Sequence, residues 1–200
     1  MDRLRRLLEL DPARVAVLLV DFQRDFCGPA GTENNARTAL RANDFARAAA
    51  GLGVRVIYSQ QVLELERLTP RQRRWERTGG LCAVGSPGAE LFLVPVPGSR
   101  VVRKDRFDVW QSPDFLDVLA EWEIDGLVIG GVELQCCVLY ATLGAEERGF
   151  HYVVPQDLVS GIDRCDTTSN AAVRDYLRYA HPSPDSAQDL LAGWRNHLAS

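Results

Sequence analysis

Three side chains able to carry out covalent hydrolysis stand where apolar runs end. Cys137 follows Leu127-Val-Ile-Gly-Gly-Val-Glu-Leu-Gln-Cys136, which is an apolar run, two glycines, a short turn and then a helical pattern. A thiol at a helix start meets unpaired N–H groups and partial positive charge. Both favour the thiolate, the nucleophilic form. Asp21 ends Val15-Ala-Val-Leu-Leu-Val20, and Lys104 closes the shorter run at Val101-Val102. An acid, a base and a thiol at three strand ends are the parts of a covalent hydrolase. Gln23 and Phe26 lie just beyond Asp21. Gln60 and Gln61 follow a second run, and Phe107 and Trp110 follow Lys104. These are the candidates to line a substrate pocket.

The elements needed to position them follow from the patterning. Apolar runs alternate with helical patterns along the whole chain, which reads as a parallel sheet with helices on both faces. The expectation is a single α/β domain over residues 1–200, a doubly wound three-layer sandwich with a mostly parallel central sheet. Ligands in such sheets sit at the C-terminal ends of the strands, where Asp21, Lys104 and Cys137 all fall. Helices are expected over residues 36–50, capped by Asn34-Asn35, over 113–122, capped by Ser112, and over 137–148, 167–179 and the tail beyond Pro184. Residues 60–98, rich in Pro and Gly with Arg71, Arg73 and Arg74, read as a functional loop, a lid or a subunit contact.

A net charge of −4 offers nothing to nucleic acid or an anionic membrane surface. The charged N-terminus lacks the apolar core of a secretory signal, and no stretch has the length of a membrane span. The five cysteines are odd in number and scattered, apart from Cys136-Cys137. That usage points to reduced thiols in a cytoplasm. Cys27, Cys82 and Cys165 read as packing residues, and so does Cys136. Gly130-Gly131 lacks the spacing of a dinucleotide loop, and no P-loop lysine follows it.

Together the segments Leu19-Val-Asp21-Phe-Gln-Arg-Asp-Phe26, Val102-Arg-Lys104-Asp-Arg-Phe107 and Gly130-Gly-Val-Glu-Leu-Gln-Cys-Cys137-Val138 resemble the isochorismatase-like cysteine hydrolases. Nicotinamidases, N-carbamoylsarcosine amidases and biuret hydrolases belong to that family. The resemblance spans residues 13 to 180 or so. It implies a Cys137–Asp21–Lys104 triad, with a cis peptide at Val132-Glu133 turning a backbone N–H into an oxyanion hole shared with the N–H of Cys137. The implied cycle is attack on an amide or carbamoyl carbon of a small molecule, loss of amine, and hydrolysis of a thioester. A homo-oligomer, dimer or tetramer, is implied as well. Nicotinamidases of the family carry Asp-x-His after the second strand to bind a metal; here that place reads Tyr58-Ser-Gln-Gln-Val-Leu63, and His151, His181 and His197 lie far along the chain. No metal and no cofactor are therefore expected. Two other readings remain open: vinyl-ether hydrolysis led by Asp21 as general acid, and a catalytically silent binding protein.

Overall fold

Six consecutive apolar residues form β1 (Val15–Val20), and every one is buried. A strand sends alternate side chains to opposite faces, so a run apolar on both faces suits the middle of a parallel sheet covered on both sides. The structure, a computed structural model, describes residues 3–76, 82–161 and 167–198. After α1 (Arg3–Leu8), β1 leads through the short α2 (Arg24–Cys27) and α3 (Glu33–Ala50) to β2 (Arg55–Gln61). The chain continues through α4 (Pro70–Glu76), β3 (Arg100–Lys104), α5 (Pro113–Glu121), β4 (Gly126–Gly131), α6 (Leu139–Glu147) and β5 (His151–Val153). Two helices, α7 (Thr167–Ala180) and α8 (Gln188–Leu198), complete the described chain.

The sheet runs β3-β2-β1-β4-β5, and every pair is parallel. Val15, Val17 and Leu19 face α3 and α8, where Ala39, Ala42, Phe45, Ala46 and Ala49 pack against Leu190, Leu191 and Trp194. The spacing of those α3 residues is that of one helical face. Ala16, Leu18 and Val20 face the other way, toward Phe115 and Leu119 of α5, Ala141 and Ala145 of α6 and Leu177 of α7. Each large side chain buried this way contributes about 2 kcal/mol. The order of strands reverses direction between β1 and β4, which places the ligand crevice of such sheets beyond their C-terminal ends.

Several boundaries differ from the sequence reading. The cap of α3 is Thr32, whose hydroxyl accepts the Asn35 N–H at 3.1 Å, so the helix starts at Glu33. Ser112 caps α5 as expected. Strand β2 runs on through Gln60 and Gln61. Cys137 is not in the first turn of α6. It lies in a π-helical turn over Leu134–Val138, and α6 begins at Leu139. The sheet is wholly parallel among the described residues rather than mostly so. Cys165 and residues 77–81 of the middle segment lie outside the described residues. Among the described residues no helix is long and apolar enough to cross a membrane.

Candidate active site

Asp21 is the first residue beyond β1, and its backbone is left-handed at φ +53°. Aspartate is among the few side chains that tolerate this region. The turn is tied down by the Asp21 N–H, which bonds Ser59 O at 3.2 Å. It leaves the carboxylate fully buried, with Oδ2 2.7 Å from Lys104 Nζ and Oδ1 accepting from Ser59 Oγ at 2.7 Å.

Lys104 ends β3, two strands away from β1. Two inter-strand spacings come to about 10 Å, and the long lysine stem carries Nζ across β2 to the carboxylate. Nζ also lies 2.9 Å from Arg106 O, 3.3 Å from Phe107 O, 3.5 Å from Gln61 Oε1 and 3.5 Å from Cys137 Sγ. Five acceptors thus surround a group with three protons. Burial on its own pushes this amine down, but the Asp21 carboxylate foremost, and then Cys137, hold it above its ordinary value. It stays a cation.

Cys137 is brought in from β4. Gly131 ends that strand at φ +145°, and a Cβ there would stand 2.4 Å from Val20 O. Only glycine lets β4 close on β1 at this point, where the Val132 N–H donates to Val20 O at 2.9 Å. The Val132–Glu133 peptide is cis. Glu133 O accepts the N–H groups of Cys136 and Val138 at 3.0 and 3.3 Å, closing the π-turn that carries the thiol. The Glu133 carboxylate accepts from Asn35 Nδ2 at 2.8 Å, and Asn35 Oδ1 accepts from Ser160 Oγ at 2.7 Å.

Cys137 is 3% exposed. Burial pushes its thiol well above the ordinary value, and the Asp21 charge adds to this; Lys104 pulls the other way without reversing it. This corrects the expectation of a standing thiolate. A helix terminus stabilises an anion by about 1 kcal/mol, which desolvation of a buried thiol readily exceeds. The resting group is a thiol in contact with a carboxylate, so its proton must leave as it reacts.

Asp21, Lys104 and Cys137 therefore meet at one point, and Gln61 joins them with Oε1 3.8 Å from Cys137 Sγ. Phe107 reaches them through its carbonyl, near Lys104 Nζ, with its ring beside Tyr140; Gln23, Gln60, Phe26 and Trp110 do not join them. Gln23 is fully buried and its amide is spent on backbone: Nε2 donates to Gln61 O and Ala89 O, both at 2.7 Å, and Oε1 accepts the Gln61 N–H. Gln60 likewise donates to Ala89 O. Phe26 packs in the core on the α3 side. Trp110 is buried against Phe115 and Phe150, and its indole N–H donates to Ala141 O at 2.9 Å, so it is core rather than pocket wall. The N–H of the cis Val132–Glu133 peptide is that of Glu133; the Val132 N–H belongs to the preceding peptide and bonds Val20 O. Ser59 and Ser160 escape the sequence reading as site residues, and Asn35 reads there only as a helix cap. For Ser59 a signal existed: it is a small polar residue on the core face of a strand at its C-terminal end, two positions after Ile57.

Segment 82–92, expected to be a lid or subunit contact, is fastened beside the site. Asp25 Oδ2 accepts the Cys82 N–H at 2.6 Å, the Arg24 N–H donates to Glu90 O, and the Phe92 N–H donates to Phe22 O. Helix α4 docks nearby through Gln72 Nε2, 3.1 Å from Asp105 O.

The profile of the Isochorismatase domain matches residues 15–182. The chain belongs to the isochorismatase family. Solved structures similar to this isochorismatase-family chain include a cysteine hydrolase from Pseudomonas syringae pv. phaseolicola 1448A, at 19% identity and a TM-score of 0.83, covering 94% of this chain and 95% of the other. An N-carbamoylsarcosine amidase from Thermoplasma acidophilum gives 20% and 0.70 over 86% and 94% of the two chains. A pyrazinamidase of Pyrococcus horikoshii in complex with zinc gives 21% and 0.70 over 83% and 95%. At these identities the likeness speaks for the fold. The residues of this isochorismatase-family chain do not fit a metal at the end of β2. There Gln61, Val62 and Leu63 offer one carboxamide and two aliphatic side chains, poor donors for an ion. Among the described residues no three His, Cys, Asp or Glu side chains are placed to hold one.

Proposed function

We propose that this isochorismatase-family hydrolase cleaves a C–N bond, amide or carbamoyl, of a small molecule through a thioester on Cys137. The observation that carries the reading is the contact of Cys137 Sγ, Lys104 Nζ and the Asp21 carboxylate in one buried cluster at the switch point of the sheet. The name of the amidase among its structural relatives supports the same class of bond.

The cycle follows from the resting protonation. As Cys137 Sγ attacks the carbonyl carbon, its proton passes to Asp21, and the oxyanion that forms is received by the N–H of Cys137. Asp21 then gives that proton to the departing nitrogen, the C–N bond breaks, and amine or ammonia leaves. Water attacks the thioester carbon while Asp21 takes a proton from it. The C–S bond breaks, the carboxylic product departs, and the proton on Asp21 returns to the sulfur. Lys104 stays charged throughout. It balances Asp21 when the thiol is neutral and the sulfur when Asp21 holds the proton. Gln61 Oε1, beside both the lysine and the thiol, is placed to accept an N–H of the substrate amide.

The test is a panel of small amides and N-carbamoyl compounds assayed for ammonia or amine release, with Cys137→Ala as control. Release that depends on Cys137 is expected. Release unchanged in Cys137→Ala but lost in Asp21→Asn would replace this reading with acid-led ether-type chemistry, and no product from any compound, with an unreactive thiol, would leave a binding protein.

A further inference from the structure

Ser59 sits at the centre of the cluster and is none of its three proposed reacting or charged groups. It is fully buried in β2, the strand between the one that ends in Lys104 and the one that ends at Asp21. Its register partner on β1 is Val20, the residue before Asp21. Ser59 grips Asp21 twice. Its carbonyl accepts the Asp21 N–H at 3.2 Å, and its hydroxyl donates to Asp21 Oδ1 at 2.7 Å.

The geometry gives that double grip a consequence for reactivity. The terminal torsion of an aspartate is soft and roughly two-fold, so one donor leaves the carboxylate plane poorly defined. Lys104 takes Oδ2, but its ammonium is shared with four other acceptors at the end of a flexible stem. The second donor comes from the backbone-anchored side chain of a central strand. Two donors, one on each oxygen, fix the plane and therefore fix which lone pairs face the thiol. A hydroxyl has a single proton, and the buried carboxylate claims it. A donor to a charged acceptor also draws off part of its field, and that field bears on the Cys137 thiol.

We infer that Ser59 is a positioning residue, acting on Cys137 only through Asp21 by aiming its carboxylate and damping its charge. The role rests on the proposed triad chemistry, and it can be read without any substrate. The experiment measures the rate of iodoacetamide alkylation at Cys137 at one mildly alkaline pH, with mass spectrometry separating Cys137 from Cys136. The full chain is compared as wild type, Ser59→Ala, Ser59→Thr, Asp21→Asn and the Ser59→Ala/Asp21→Asn double variant, each with a thermal melt.

Ser59→Ala is expected to slow alkylation about tenfold, the scale of one hydrogen bond to a charged group. Ser59→Thr, which keeps the hydroxyl, restores the rate. In the Asp21→Asn background removal of the hydroxyl changes the rate less than about twofold, because there is no charge left to aim or damp. An equal slowing in both backgrounds, or a Ser59→Ala rate equal to wild type, overturns the inference. A lower melting temperature in every Ser59→Ala chain, with no rate coupling to Asp21, would make Ser59 structural only. The outcomes separate from those of the proposed function. Missing coupling alongside Cys137-dependent turnover rejects Ser59 alone, and coupling without turnover rejects the amide reading alone.

Discussion

Among the described residues two clusters of ionisable side chains behave differently: one is buried throughout, and the other joins buried Tyr152 and His181 to exposed Glu146 and half-buried Arg3. One joins Asp21, Ser59, Lys104 and Cys137 beyond the ends of β1 and β4. The other lies at the β5 edge. There Tyr152 donates to Glu146, His181 Nδ1 meets the same phenol oxygen, and Arg3 donates to Glu146 at 2.8 Å while lying over the Tyr152 ring. The far nitrogen of His181 lies 3.4 Å from Tyr176 Oη. Both clusters shift their members. Burial foremost raises Tyr152 and lowers His181, as it raises Cys137. In the β5 cluster, however, the protons and acceptors form a closed chain. Tyr152 gives its one proton to Glu146, so His181 gives its own to Tyr152. In the Cys137 cluster the acceptors outnumber the lysine protons, and one member is a thiol held against a carboxylate. Shifted ionisation marks burial; a thiol among surplus acceptors at the sheet switch point is what the proposed chemistry requires.

The sharpest way to break this contrast is to remove the nucleophile. Cys137→Ala should lower amide turnover at least about a thousandfold, as loss of a covalent nucleophile does, with a cooperative melt retained. Turnover near wild type would erase the distinction between the clusters. Next comes Asp21→Asn, whose two readouts should move in opposite directions. Turnover falls by about a hundred- to ten-thousandfold with the loss of general acid–base catalysis. Alkylation of Cys137 accelerates, because the charge that holds the thiol up is gone. Both readouts falling together would mean that Asp21 does no more than hold the site in shape.

Lys104→Met separates stability from chemistry. It leaves the Asp21 carboxylate buried with only the Ser59 hydroxyl and the weakly donating Cys137 thiol against it, a loss of about 3–5 kcal/mol, read by urea unfolding. It also removes the Lys104 charge that pulls the thiol down, so alkylation slows. The smallest effects belong to the β5 cluster. Tyr152→Phe should cost about 1–3 kcal/mol for the buried His181 N–H it strands and leave turnover unchanged. His181 is held below its ordinary 6.5, first by burial and then by Arg3. The unfolded chain therefore binds its proton more readily, and the stability present above pH 6.5 is lost as pH falls through the lowered value. His181→Gln should flatten that part of the melting-temperature profile; an unchanged slope would place the acid sensitivity elsewhere.

The same contrast explains what can be read from the sequence. Asp21 is legible because it ends an apolar run and Cys137 because it follows one at a helical pattern, while Lys104 stands out through the family resemblance; parallel sheets gather strand ends. The buried strands are legible for the same reason: Val15–Val20 has no polar residue to expose. What escapes is anything decided by which face, and which partner, a side chain meets. Trp110 and Gln23 lie close in sequence to Lys104 and Asp21, yet one turns into the α5–α6 core and the other into backbone. Ser59 shows in the sequence only as a small polar residue on the core face of β2, and its proposed role depends on β2 lying between β1 and β3. The π-turn at Cys137 follows from tertiary contacts such as the Leu134 N–H bonding Ser160 O, which no local propensity encodes. The state of the thiol is a balance between desolvation and two charges, and sequence position supplies only the helix-start side of it.

The central claim is that an acyl group passes through Cys137. The direct measurement mixes the enzyme with an amide that it turns over, quenches in acid within the first turnovers and weighs the intact protein and its peptides. The account predicts a mass increase equal to the acyl group on the peptide that carries Cys137, decaying as product appears and absent from Cys137→Ala. Steady turnover with no adduct on Cys137 at any time, and the same turnover in Cys137→Ala, would contradict it.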